Sequence, residues 1–146
     1  MKLTCQWNEA MAFTARAEGH AINMDAKKPI GRDTAMTPKE LVAAGLCGCT
    51  AMDVVAYLRK FKAPVQSLEV SADIETSKGE HPIVFSRVGL TYRVTGDVDP
   101  ERLSEAVRLS QTQYCGVSAM LSKAMGIQYT VELNGKTVAS GEAKFS

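Results

Sequence analysis

Hydrophobic and polar positions change period several times along the chain, and each change marks an element. Residues 2 to 7 and 11 to 17 alternate as short strands, Glu18-Gly19 forms a turn, and His20 to Asp25 reads as a third strand of a meander. Residues 26 to 36, with Pro29, Gly31 and Asp33, break the pattern as a loop. A long helix follows. Thr37 is placed to cap it, Pro38 suits its first position, and Glu40 sits where a capping box reaches back to the cap. Its end is marked by Arg59, Lys60 and Lys62, cations at the carbonyl end of a helix, and by Pro64. Ser67 to Thr76 alternates as a half-buried strand, and a longer strand from Pro82 to Thr95 keeps Val88, Leu90, Tyr92 and Val94 on one face. Asp99-Pro100 opens a second helix running to about Gln113, with Leu103, Ala106, Val107 and Ser110 on its apolar side. Tyr114 to Ser118 is a break before a short helix through Lys123. The chain closes with strands at 127 to 133 and 136 to 145 joined by Asn134-Gly135, the strongest short hairpin signal.

The long helix is the unusual element. From Leu41 to Leu58 it is apolar on nearly every face, and only Cys47, Cys49, Thr50 and Asp53 carry chemistry beyond packing. Such a helix is a core element or a membrane span. An Asp at the centre of a bilayer costs roughly 2.5 to 3.5 kcal/mol on insertion scales, so Asp53 favours the core. In a chain of 146 residues, burying a helix all round takes a sheet on one side and something else on the other, for which a second subunit is the simplest candidate. The expected fold is one α+β domain over 1–146.

Charge narrows the partners. Seventeen Lys and Arg against sixteen Asp and Glu leave a formal charge of +1 without a basic face, so neither nucleic acid nor a membrane surface is an expected partner. The segment Met1 to Trp7 lacks an apolar signal core, which sets a cytoplasmic expectation. Four cysteines in that setting are more consistent with reactive, metal-bound or buried thiols than with a disulfide framework.

Cys49 lies mid-helix, where an inert buried thiol is the ordinary reading. Cys115 stands between two helices, where free N–H groups and the helix dipole favour a thiolate more reactive than usual. Cys47 lies two residues from Cys49 and so on another side of the helix; it and Cys5 are expected in the core, with no metal site. Asp53, one turn beyond Cys49, shares its face. It is either a satisfied buried acid or a proton acceptor and orienting group near the thiol. His20 and His81 read as surface or turn residues, and no cofactor motif is present.

The run Pro38 to Val55, with Gly-Cys-Thr-Ala at 48–51, followed far downstream by Tyr114-Cys115-Gly116-Val117-Ser118, resembles the OsmC/Ohr family, and within it the YhfA-like branch. The order of strands, long helix, hairpin, helix pair and hairpin is similar over nearly the whole chain. The resemblance implies antiparallel sheets wrapped around a long central helix in an intertwined homodimer, with active sites at the interface. By position, Cys49 matches the cysteine that a hydroperoxide oxidises to a sulfenic acid, and Cys115 the one that resolves it to a disulfide, which a dithiol such as dihydrolipoamide reduces. No cofactor is implied. Two positions depart from the peroxidase members: Lys39 stands where they have a carboxylate, and Ala10 where they have an arginine that holds the thiolate. Glu40 is one place late and has a sufficient role in the capping box. These departures favour an alternative, a non-catalytic dimer that senses redox state or holds a small apolar ligand.

Overall fold

The computed structural model describes residues 1–146. Two units make up the chain, Met1–Ala44 and Gly45–Ser146. In the first unit, β1 (Thr4–Glu9), β2 (Ala12–Ala17) and β3 (His20–Met24) form an antiparallel meander in the order β1-β2-β3. The loop that follows is organised by Asp25, only 2% exposed, whose carboxylate accepts hydrogen bonds from the Ala26 N–H and from the N–H and hydroxyl of Thr34. These bonds, led by the Thr34 hydroxyl, hold the Asp25 carboxyl below its usual range. The loop leads to α1 (Pro38–Lys60), whose start is a capping box: the Glu40 N–H donates to Thr37 Oγ1 (3.2 Å) and the Thr37 N–H to Glu40 Oε1 (3.1 Å).

The second unit holds the core. β4 (Val65–Thr76), β5 (Phe85–Gly96), β6 (Gly126–Leu133) and β7 (Lys136–Glu142) form a four-stranded sheet in that order. Strict alternation along β5 puts Val88, Leu90, Tyr92 and Val94 inward, and Ile127, Tyr129, Val131 and Leu133 of β6 join them. Between β5 and β6 run α2 (Pro100–Leu109), a π-helical segment at Ser110–Tyr114, and α3 (Gly116–Leu121). Asp99 caps α2 through its side chain, and Leu103, Ala106 and Val107 bury its apolar stripe as the spacing requires. The β6–β7 hairpin turns at Asn134 (φ 50°) and Gly135 (φ 82°), the paired positive angles that make Asn-Gly the favoured sequence here.

Three expectations need correction. The sheets are not all antiparallel: β5 and β6 pair in parallel, because the helical crossover of residues 97–125 returns the chain to the starting end of the sheet. The strand expected from Pro82 starts at Phe85, since Ser77 ties off the preceding loop through its carbonyl-paired N–H and its hydroxyl, both joined to Val84. Cys5 is exposed rather than core, on a strand exposed along its whole length. Within the chain α1 buries one stripe only, Leu46, Thr50, Val54 and Leu58, while Val42, Met52 and Val55 stay exposed.

Candidate active site

Four elements converge on the middle of α1. The buried stripe of that helix repeats every four residues and carries Thr50, whose hydroxyl meets Tyr92 Oη from β5 (2.7 Å), Ser110 Oγ from the start of the π-helical segment (2.7 Å) and the Gln111 amide nitrogen (3.0 Å). Ser110 Oγ in turn donates to Asp53 Oδ2 at 2.8 Å. Thr50, Ser110 and Gln111 are fully buried, as is the Tyr92 side chain, and burial raises the Tyr92 hydroxyl well beyond the usual phenol range. Asp53 is half-buried and reaches a cleft of about 690 Å³ lined also by Tyr57, Lys60, Phe61, Leu109 and Tyr114. The Arg102 guanidinium stacks on Phe61, 3.6 Å from its centroid.

Cys49 and Cys115 lie in the same neighbourhood, near enough for one thiol to perturb the other. Cys115, with no exposed surface, is the N-cap residue of α3, and its Sγ accepts from the Ser118 N–H at 3.3 Å. Cys49, half-buried on α1, is near enough to that sulfur to perturb its thiol. Both thiols are free. The helix-start position does not activate Cys115 as expected. Burial pushes its thiol up, the Ser118 contacts offset this only in part, and the neighbouring Cys49 adds to the rise. A six-residue helix offers few aligned amides, and a dry site penalises charge. Cys47 packs against the core, where burial likewise raises its thiol. His20 and His81 are exposed.

Asp53 is therefore a hydrogen-bonded acid on the Cys49 face. The spacing from Cys49 was readable; its partner Ser110 was not, nor were Tyr92 and Gln111. The signal for them was a serine on the apolar stripe of α2 and a tyrosine at an inward strand position, polar groups that must find partners when buried. Glu40 is committed to its cap and to Lys27 Nζ at 3.5 Å, and these contacts, the Thr37 hydrogen bonds first, hold its carboxyl below the usual range.

A family model described as OsmC-like protein matches residues 31–130, a span that takes in both Cys49 and Cys115. The chain belongs to the OsmC-like family. This OsmC-like protein is 36% identical over 135 residues to protein YhfA of Escherichia coli strain K12, covering 91% of the present chain and 98% of that one. Its fold is similar to a crystal structure of an OsmC-like protein from Mycoplasma pneumoniae, with a TM-score of 0.79 and 15% identity over 90% of this chain and 95% of that one. It is similar also to an organic hydroperoxide resistance protein from Elizabethkingia anophelis, with a TM-score of 0.69 and 18% identity over 90% and 94% of the two chains.

Proposed function

We propose that the chain is a thiol-dependent peroxidase that reduces organic or inorganic hydroperoxides. Cys49 attacks the peroxide as a thiolate: its sulfur takes the terminal oxygen, the O–O bond breaks, and the alkoxide leaves as the alcohol after protonation. Cys115 then displaces water from the Cys49 sulfenic acid to give a disulfide, and a dithiol such as dihydrolipoamide restores both thiols by exchange. The observation that supports this reading is that Cys49, far from Cys115 in the chain, is near enough in the fold to raise the Cys115 thiol. The neighbouring half-apolar cleft suits a small organic substrate.

We take the working form to be a homodimer in the cytoplasm. Val42, Met52 and Val55 on α1 are apolar and exposed in the single chain, and a second copy would cover them as the family resemblance implies. Purified protein should consume cumene hydroperoxide in the presence of dihydrolipoamide and lose that activity with Cys49→Ser. Absence of turnover above the Cys49→Ser background would overturn the assignment. A second reading, a dimeric redox sensor or apolar-ligand carrier, is favoured by the commitment of Glu40 to the helix cap. It predicts a single stoichiometric oxidation without turnover in the same assay.

A further inference from the structure

Cys49 and Asp53 stand on neighbouring turns of one face of α1, at positions i and i+4. That spacing holds their Cβ atoms roughly 5–6 Å apart, and the tilt of a helical Cα–Cβ bond toward the N-terminus leans Asp53 back over the turn that carries the thiol. The carboxylate is anchored from behind. Ser110 Oγ donates to Asp53 Oδ2 at 2.8 Å, so Ser110 accepts from Thr50, and Thr50, its proton spent, accepts from the Tyr92 hydroxyl and from Gln111 Nε2. Thr50, Ser110, Gln111 and Tyr92 are all buried, which makes this anchor dry and fixed. Asp53 Oδ1 takes no hydrogen bond within the chain, and the residue is only half-buried, on the wall of the cleft of about 690 Å³. An acid held through one oxygen beside a thiol, with the other oxygen free at a cleft wall, is preorganised to exchange a proton there.

We propose that Asp53 is the acid–base group of the Cys49 oxidation step: its carboxylate takes the thiol proton as the sulfur attacks and returns it to the oxygen that leaves. This deepens the peroxidase reading and rests on it. Reduction of a hydroperoxide by a thiol needs no net proton, because the hydrogen lost from sulfur equals the one gained by the alkoxide. One carboxylate can therefore serve both ends. The Cys49 proton passes to Asp53 Oδ1, and the sulfur bonds to the terminal peroxide oxygen, which keeps its own hydrogen. The O–O bond breaks with its electron pair on the other oxygen, and Asp53 hands its proton to that alkoxide. Cys49 is oxidised to the sulfenic acid, the hydroperoxide is reduced to the alcohol, and Asp53 ends as it began. In-line attack sets the leaving oxygen beyond the terminal one as seen from sulfur; with the organic body in the cleft toward Tyr57 and Tyr114, that line runs from Cys49 past Asp53. Lys60, the other charged residue of the cleft wall, lies ~10 Å further along the helix axis, too far to protonate that oxygen. Ser110 and Thr50 are positioning residues for the carboxylate.

The titratable and charged groups around Asp53 are Cys49, Tyr57 and Lys60 on its own helix, Tyr114 of the π-helical segment, Tyr92 of β5 behind Thr50, and Arg102 of α2 on the Phe61 ring. Cys115 neighbours Cys49. The test measures formation of the Cys49 sulfenic acid, trapped with dimedone, under one equivalent of oxidant in a Cys115→Ser parent, where no disulfide can consume it. Cumene hydroperoxide releases a strongly basic alkoxide that needs a proton; peracetic acid releases acetate, which needs none. Asp53→Asn keeps an acceptor for Ser110 but cannot carry the proton. It should slow oxidation by cumene hydroperoxide roughly a hundredfold at neutral pH, slow oxidation by peracetic acid far less, and recover part of its deficit as pH rises and thiolate forms unaided. Structural damage would slow both oxidants alike. Equal rates in folded Asp53→Asn and its parent, or one deficit shared by both oxidants and unmoved by pH, would overturn the proposal. Should Asp53→Asn not fold, Asp53→Ser carries the same expectations. A parent that forms no sulfenic acid with either oxidant removes the peroxidase reading and this one together, whereas a parent that is oxidised and is matched by Asp53→Asn removes only this one.

Discussion

Replacing Thr50 by Val isolates the polar knot at the centre of the core. The two side chains are nearly the same shape and both β-branched, so helix propensity and packing volume barely change. The lost hydroxyl is the partner of Tyr92 Oη, Ser110 Oγ and Gln111 Nε2, all buried. The Tyr92 hydroxyl and the Gln111 amide become buried donors without acceptors, at ~1–3 kcal/mol each. Ser110 keeps its bond to Asp53 and loses less. Burying one more apolar group returns ~0.8 kcal/mol. The net expectation is a destabilisation of about 3 kcal/mol, a large share of the ~5–15 kcal/mol typical of a domain. In urea denaturation of the reduced protein the midpoint should fall with an unchanged slope. Tyr92→Phe removes one of the orphaned donors, so the double variant should be less destabilised than the sum of the singles by about 1 kcal/mol or more. A loss below about 1 kcal/mol for Thr50→Val, or strict additivity in the cycle, would refute the view that these hydroxyls satisfy one another.

Two further outcomes concern the first unit. Thr37→Ala should cost about 1 kcal/mol by removing the side-chain acceptor for the Glu40 N–H, measured by thermal melting; an unchanged melting temperature would show that the cap is dispensable. Because the folded state holds the Asp25 carboxyl below its unfolded value, its stabilisation is present above about pH 4 and is lost as pH falls through that value toward the depressed folded one. Stability of the wild type should therefore decline more steeply from pH 6 to pH 3 than that of Asp25→Asn. Parallel curves would contradict the assignment.

Much of this architecture is legible in local pattern. Thr37, Pro38 and Glu40 announce the start of α1, Asp99 and Pro100 that of α2, and Asn134-Gly135 the last hairpin, because each signal acts through the residues beside it. The parallel pairing of β5 with β6 is a long-range choice, and alternation along a strand is blind to its neighbour's direction. The same holds for the site. The i to i+4 spacing put Asp53 on the Cys49 face, but only tertiary packing could show that Ser110 takes the carboxylate and that Tyr92 comes from a strand 42 residues away to meet Thr50. The chemistry of Cys115 was misread for a related reason. Its place at a helix start is local, whereas the burial that raises its thiol comes from the whole fold.

The pairing of Cys49 with Cys115 is the claim on which the functional account stands. Peptide mapping by mass spectrometry under non-reducing conditions, after one equivalent of hydroperoxide, tests it directly. The account predicts one dominant crosslink joining the peptides that contain Cys49 and Cys115, formed within a single chain and removed by dihydrolipoamide. Crosslinks through Cys5 or Cys47 instead, or four thiols left unmodified, would contradict it.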